Sequence, residues 1–223
     1  MAISKFNYNS FNVTPVASKA LAFDADADGF TTASGSSMIL IKTLTASSSA
    51  TLSFVNGSSD VVLDDTYPNY LFKFFNIHPQ TDGVRFTVGF RDGSSNYDAT
   101  KTSTYFEARH NEGDTGTSLA YETGEDLANG TGFQPVQRNL SNDADHGTNG
   151  TLHLFNPSST TFVKHFITRT SGHHQSDYEL DTHVAGYCNV TAAIDAVQFK
   201  MDNGNIDSGK IKLYGIKDSL CVT

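Results

Sequence analysis

The chain has 223 residues, a formal net charge of −9 with neutral histidines, and a pI near 5.2. The acidic balance opposes non-specific binding to nucleic acid, because such binding needs cationic side chains to displace counterions from phosphates. No window approaches the about 18 consecutive apolar residues of a transmembrane helix, and the first residues contain no apolar core of a signal peptide. We therefore predict no nucleic-acid partner and no membrane insertion.

Short apolar runs alternate along the whole chain with turns rich in Gly, Ser, Thr, Asn and Asp. This pattern is typical of short strands joined by tight turns, and no amphipathic helix or linker interrupts it. The length suits one β-sandwich with a sizeable core. We predict an all-β fold, a single antiparallel β-sandwich of jelly-roll-like form over residues 21–223. Residues 1–20 are predicted to be an N-terminal arm or edge strand that packs on its own domain or on a neighbouring subunit.

The first candidate site lies in residues 21–30, where Asp24, Asp26 and Asp28 precede Gly29. Alternate carboxylates followed by glycine resemble the opening of a calcium loop, in which they converge on one hard cation. The twelfth position is Gly35, where a bidentate glutamate would normally close the site. The segment is therefore predicted to be either a calcium loop held by the three aspartates or an acidic surface loop between strands. Calcium is the one cofactor that the sequence suggests.

The strongest strand signals in the middle of the chain are Tyr70–His78 and Val84–Phe90. The first is the most apolar run and is predicted to lie in the middle of a sheet, because both of its faces carry large side chains. Residues 110–132 are polar, glycine-rich and acidic, which predicts a long excursion with one short strand near residues 119–121.

Two hairpins are predicted in the last third of the chain. Thr151–Thr170 has alternating runs on either side of an Asn-Pro-Ser-Ser turn, and Val197–Ile216 has alternating runs on either side of Asn203-Gly204 and Ser208-Gly209. The residues between the hairpins include Ser171–Asp181, which is polar and rich in histidine and serine. We predict a loop there.

Other chemistry-bearing residues give weaker signals. His173, His174, Asp177 and His183 form the densest group of potential metal ligands, but adjacent histidines on a strand point to opposite faces. No Gly-x-Ser-x-Gly elbow, Walker motif or dinucleotide motif is present, so no enzymatic activity is predicted. The two cysteines, Cys188 and Cys221, are too few for a disulfide framework; free thiols are favoured over a single bridge.

Three stretches resemble one family: residues 203–216 (NGNIDSGKIKLYGI), the hairpin at 150–166 and the strand at 69–79. They are similar to virion structural proteins of tailed bacteriophages, especially marine ones, and the resemblance extends over most of the chain beyond about residue 36. It does not include the N-terminal part or the acidic loop at Asp24–Gly29. The resemblance implies a virion component with a β-sandwich fold, and it supplies no catalytic residues.

Two functions are expected from these observations. The first is a structural role in the virion, as a capsid decoration or cement protein or a head or tail fibre subunit, with other capsid or tail proteins as partners and a homo-oligomer such as a trimer as the assembled form. The second is a carbohydrate- or receptor-binding module for host attachment. Tyr97, Tyr121 and Tyr178 lie in predicted loops, where they either stack on sugars or pack the turns.

Overall fold

The computed structural model describes residues 21–23, 30–32 and 36–218. Within these residues the predicted all-β antiparallel fold is confirmed, and no helix occurs. The predicted arm at residues 1–20 lies outside them. The described strands are, in chain order, β1 Leu21–Phe23, β2 Phe30–Thr32, β3 Met38–Ser49, β4 Leu52–Val55, β5 Asn69–Pro79, β6 Val84–Arg91, β7 Lys101–Asn111, β8 Thr117–Tyr121, β9 Gln134–Leu140, β10 Thr148–Phe155, β11 Lys164–His174, β12 Tyr178–Cys188, β13 Ala196–Met201 and β14 Ile206–Ile216.

Apart from the small β1–β2 pair, the strands form two layers. The wide sheet has the order β3-β14-β5-β10-β11-β12-β7-β8, and the narrow sheet has the order β9-β6-β13-β4. The two are joined at one side, where His174 of β11 pairs with Leu140 of β9. β5 lies between β14 and β10, as its apolar sequence predicts. The result is a sandwich-like arrangement in which one face of each sheet is buried.

Phenylalanine rings fill the space between the two sheets. Phe72 and Phe74 of β5 contact Phe199 of β13, with ring centroids 5.4 and 5.3 Å apart, while Phe54 of β4 and Phe86 of β6 complete the cluster. Most of these pairs are edge-to-face, the arrangement that the aromatic quadrupole favours. All five side chains are at most 2 % exposed. This cluster, henceforth the phenylalanine core, binds the wide sheet to the narrow sheet.

The sequence predicts a hairpin over Val197–Ile216, and this prediction is wrong. Both predicted strands exist, but β13 pairs with β4 and β6 in the narrow sheet, whereas β14 pairs with β3 and β5 in the wide sheet. The connection crosses from one layer to the other, and Gly204 adopts a positive φ of 73° within it. Alternation of apolar residues identifies a strand with one buried face, but both layers bury the same kind of face. The local pattern therefore does not determine which sheet a strand joins.

The hairpin predicted over Thr151–Thr170 is confirmed, since β10 and β11 pair directly. The loop predicted at Ser171–Asp181 is wrong: β11 continues to His174, β12 begins at Tyr178, and the turn between them is only three residues long. Gly172 and Leu180 alternate inward there, while the polar side chains between them face outward. Because β11 and β12 extend the sheet beyond the main core, few large apolar residues mark them as strands.

We expect Phe199→Ala to lower the free energy of unfolding by about 3–5 kcal/mol, because it removes the ring that contacts both β5 phenylalanines and leaves a cavity. Chemical denaturation of the purified protein measures this loss. The matched control is Phe162→Ala, at a position 69 % exposed in the β10–β11 turn, where the change is expected to stay within about 0.5 kcal/mol. Equal losses for the two variants would contradict the role of the phenylalanine core.

Candidate functional site

The predicted calcium ligands Asp24, Asp26 and Asp28 lie outside the described residues, in the segment that connects β1 with β2. The calcium loop therefore stays a prediction. Within residues 36–218 and the two short strands, no group of three or more His, Cys, Asp or Glu side chains is placed to hold a metal ion.

The four histidine-cluster residues are separated by strand geometry. His173 stacks on His146, with ring centroids 4.2 Å apart, and His183 stacks on Phe106 at 5.0 Å. His174 accepts a hydrogen bond from the backbone N–H of Ser176 through its Nδ1 atom. These contacts hold the rings as parts of the sheet surface and of one turn, so they do not converge on a common point.

The three tyrosines predicted in loops have different surroundings. Tyr97 lies in a loop and packs against Phe133, with ring centroids 6.4 Å apart. Tyr121 ends β8, is 51 % exposed, and its hydroxyl donates to Asp126. Tyr178 begins β12. Of the three, Tyr121 offers the most accessible ring.

The most extensive accessible feature is the side of the wide sheet that faces away from the phenylalanine core, here called the outer face. Its side chains alternate with the buried ones on each strand. It carries most of the exposed large hydrophobic side chains found among the described residues: Met38, Leu40, Phe75, Phe106, Leu119, Tyr121 and Ile167.

An apolar row crosses the outer face at right angles to the strands. Leu40 of β3 and Leu71 of β5 both lie opposite Tyr214 of β14; His153 of β10 follows, and Ile167 of β11 lies opposite His153. Leu40 is 51 % exposed and Ile167 is 50 % exposed. Direct cross-strand neighbours of this kind support one another. Together they form a continuous apolar strip across five strands.

A polar row runs beside the apolar row. Lys212 of β14 lies directly opposite Lys73 of β5, which places two like charges together. Each ammonium group also lies over a ring: Lys73 over Tyr214 at 5.9 Å and Lys212 over Phe75 at 5.3 Å. These cation–π contacts offset part of the repulsion. This end of the outer face is therefore locally cationic on a chain of negative net charge.

Two neighbouring hollows follow the β11–β12 pair across the outer face, and together they are called the β11–β12 groove. The first has a volume of about 420 Å³ and mostly apolar walls, including Ile167 and Ala185. His165 and Tyr187 stand at its end with ring centroids 5.8 Å apart. Its floor is close-packed, because a Cβ on Gly186 would lie 2.6 Å from the Phe166 ring.

The second hollow has a volume of about 530 Å³ and is lined mostly by polar residues, which also contribute apolar atoms to its walls. The guanidinium of Arg169 donates two hydrogen bonds to the carboxylate of Asp181, at 3.0 and 2.9 Å, and His183 lies 3.2 Å from the same carboxylate. The Arg169 hydrogen bonds are the largest cause of a lowered pKa for Asp181. The hydroxyl of Ser171 donates to Glu179 at 2.6 Å. These planar polar groups are thus held in fixed orientations on paired strands.

A buried ionic cluster lies between β7 and β9. Arg138 donates two hydrogen bonds to the fully buried Glu107, at 3.0 and 2.6 Å, and one to Glu122 at 2.8 Å. Glu122 belongs to the predicted acidic excursion, whose short strand is confirmed as β8. Because the bidentate pair neutralises the carboxylate, the cluster fastens the excursion to the sandwich.

A second buried polar set lies at one end of the wide sheet, where Lys164, Cys188 and Lys101 are direct cross-strand neighbours. The ammonium of Lys164 donates to three backbone carbonyls, those of Ser159, Val190 and Ala192. Burial raises the pKa of the Cys188 thiol to about 12, so it is protonated and a poor nucleophile near neutral pH. Cys221 lies outside the described residues, so the thiol prediction stays a prediction.

Sequence reasoning missed the β11–β12 groove. Its residues are spread over the polar stretch that reads as a loop, and the outward positions of both strands are filled by His, Arg, Ser, Glu and Asp. The sequence does contain one signal for these two strands. Their outward polar residues alternate with inward residues, which the structure shows to be the buried Thr168, Thr170, Leu180 and Thr182.

Comparison of the chain with protein-family models, with curated proteins and with solved structures gives no match. Among the described residues, none belongs to a helix that is long and apolar enough to cross a membrane.

We expect Arg138→Met to lower the free energy of unfolding by about 3–5 kcal/mol, because it leaves the carboxylate of Glu107 buried without its partner. The matched control is Arg169→Met, which removes an equally bidentate ion pair at a position 67 % exposed; that loss is expected to be at most about 1 kcal/mol. Urea denaturation of both variants measures the difference. Similar losses would show that burial of the first pair has no special consequence.

A pH dependence follows from two partly buried histidines. Burial lowers the pKa of His153, and burial followed by the charge of Arg138 lowers that of His174. The unfolded chain therefore binds protons that the folded protein does not, so the free energy of unfolding falls as the pH drops below about 6.5.

The measurement compares urea midpoints at pH 7 and about pH 5.5, a window in which ordinary carboxylates stay ionised. We expect the double variant His153→Gln/His174→Gln to lose less stability over this window than the unaltered protein. His110→Gln, at a side chain 55 % exposed, serves as control. An unchanged pH dependence in the double variant would contradict the assignment to these two rings.

Proposed function

We propose that this chain is a structural component of a tailed-bacteriophage virion, as a capsid decoration or cement protein or a head or tail fibre subunit, and that it acts through protein–protein assembly. The proposal combines the resemblance of residues 69–79, 150–166 and 203–216 to such proteins with the wiring and surface of the sandwich. One observation, the exposed apolar row across the outer face, carries it.

Eight strands make up the common part of the two layers: β3, β4, β5, β6, β9, β10, β13 and β14. When these eight strands are numbered in chain order, the wide sheet begins with the first, eighth, third and sixth strands. The narrow sheet, taken from β4 to β9, contains the second, seventh, fourth and fifth strands in that order. We infer from this order that the fold is a jelly roll. Many viral capsid proteins have this strand topology, and some lectin domains have it as well. The strand topology alone does not distinguish a capsid role from a lectin role, so the distinction depends on the surface of the protein.

The outer face has the size and composition of an assembly surface. Eight strands about 4.8 Å apart, each presenting roughly 30 Å of length, give a face of about 1,000 Å², which exceeds the about 800 Å² per partner of a standard protein interface. The apolar row supplies the water-excluding centre, and the lysines of β5 and β14 supply a polar rim. A homo-oligomer such as a trimer, or attachment to another capsid or tail protein, would bury this row.

The second candidate function is a carbohydrate- or receptor-binding module for host attachment. The β11–β12 groove favours it, because the groove joins an apolar hollow to a polar one on rigid strands. The two roles are compatible in a fibre subunit, which is both a component of the particle and a receptor-binding protein.

The decisive experiment for the structural role is mass spectrometry of purified virions of the phage that encodes the chain, together with light scattering of the purified protein with and without EDTA. We expect the chain in the virion and a stable oligomer. Absence of the chain from intact virions would overturn the proposal. Loss of the oligomer on chelation would direct attention to the Asp24, Asp26 and Asp28 loop.

Leu40→Glu tests the surface itself. It places a charge in the apolar row at an exposed position of β3, so we expect it to weaken self-association or virion incorporation about tenfold or more, with little change in unfolding. Thr43→Glu, also exposed on β3, is the control. Equal assembly of both variants would exclude the apolar row as the interface.

A further inference from the structure

We propose that the β11–β12 groove binds an oligosaccharide of a bacterial cell surface. This inference rests on the attachment role given above as the second candidate function, and it assigns to that role a site and a ligand class. It is independent of where on the particle the chain is placed.

The two hollows lie next to each other along β11, because Ile167 lines the first and Arg169, the next outward residue, lines the second. The apolar hollow is lined by His165 and Ile167 of β11, and the polar one by Arg169 and Ser171 of the same strand. Because residues on one face of a strand follow each other at about 6.8 Å, these four positions extend over about 20 Å. A site of this length accommodates a chain of several sugar rings and is larger than a single monosaccharide requires.

The polar hollow matches the hydroxyl groups of sugars, which donate and accept hydrogen bonds at closely spaced positions. Arg169 supplies donors, and Asp181 and Glu179 supply acceptors. The hydroxyl of Thr151 can donate or accept, and that of Ser171, whose hydrogen is donated to Glu179, can accept. Their orientations are fixed by the Arg169–Asp181 and Ser171–Glu179 hydrogen bonds. Prior ordering reduces the entropy lost on binding.

The apolar hollow matches the C–H faces of sugar rings. Ile167 is 50 % exposed, and the rings of His165 and Tyr187 stand beside it. On β7 and β8, Phe106 and Tyr121 lie opposite each other, 41 % and 51 % exposed, and Phe106 stacks on His183 of β12. Small-ligand sites commonly combine apolar walls with a few placed polar groups that fix the orientation of the ligand.

The charges of the groove select among ligands. Its polar hollow holds one cation, Arg169, and two carboxylates, Asp181 and Glu179. A polyanion such as nucleic acid would meet these carboxylates without enough cations to neutralise its phosphates. A neutral or weakly charged oligosaccharide meets no such penalty, so we assign the groove to that class.

The test uses a printed panel of oligosaccharides from bacterial O-chains and capsules, probed with the purified full-length protein, and titration calorimetry on the hits. We expect binding by the unaltered protein. Ala185→Trp fills the apolar hollow from an exposed position, and Asp181→Asn keeps the shape while weakening the Arg169 pair. Each is expected to weaken binding about tenfold or more.

The matched control is Thr43→Trp, which adds the same ring to an exposed position of the same face on β3, several strands from the groove. We expect it to bind like the unaltered protein. No binding to any member of the panel, or equal binding by Ala185→Trp and the control, would overturn the proposal. Loss of self-association in Ala185→Trp without loss of glycan binding would instead identify the groove as a subunit interface.

Failure here and failure of the structural role are separable. A chain present in virions whose purified form binds no glycan retains the structural proposal and excludes the groove. A chain that is absent from virions but binds the panel, with weaker binding in the Ala185→Trp and Asp181→Asn variants, excludes the structural role and supports the groove.

Discussion

The packing of a few phenylalanine rings between two sheets is the constraint on which the rest of this structure depends. Phe199 contacts Phe72 and Phe74 across the layers, so a single narrow-sheet side chain fixes the position of β5 in the wide sheet. Among the described residues the narrow sheet has four strands, and the burial of its inner face requires a wide sheet opposite. Once these rings are in place, the strands that contact them have one face in the core, and the opposite face is free for other uses.

The wide sheet is where the fold departs from the minimum that this core needs. The β11–β12 and β7–β8 strands extend it beyond β10, and the extension is held by different chemistry: buried ion pairs such as Arg138–Glu107, and the carbonyl-bound ammonium of Lys164. Such buried groups are costly to separate, because loss of one partner leaves an uncompensated charge in the interior. The added strands double the area of the outer face and create the groove.

Local sequence patterns predict this fold only in part, for a physical reason. The alternation in Tyr70–His78 and the turn chemistry of the β10–β11 hairpin determine structure over a few residues, so those elements are predictable. Val197–Ile216 is different, because whether β14 pairs with β13 or with β3 depends on rings far away in the chain, such as Phe54 and Phe72. The groove is not predictable from a local pattern either, because Arg169 and Asp181 lie on different strands and meet only when β11 and β12 pair.

The position of β14 between β3 and β5 has a consequence for how the chain is made. Synthesis is vectorial, so β3, β4, β5 and β6 emerge from the ribosome long before their final neighbours β13 and β14 exist. Until then, the position between β3 and β5 is empty, and so is the position between β4 and β6. The edges and apolar faces of these four strands therefore stay accessible to other chains. Such long-range pairing also slows folding after release. Synthesis of β13 and β14 completes the two sheets, because each of these strands fills the position between two earlier ones.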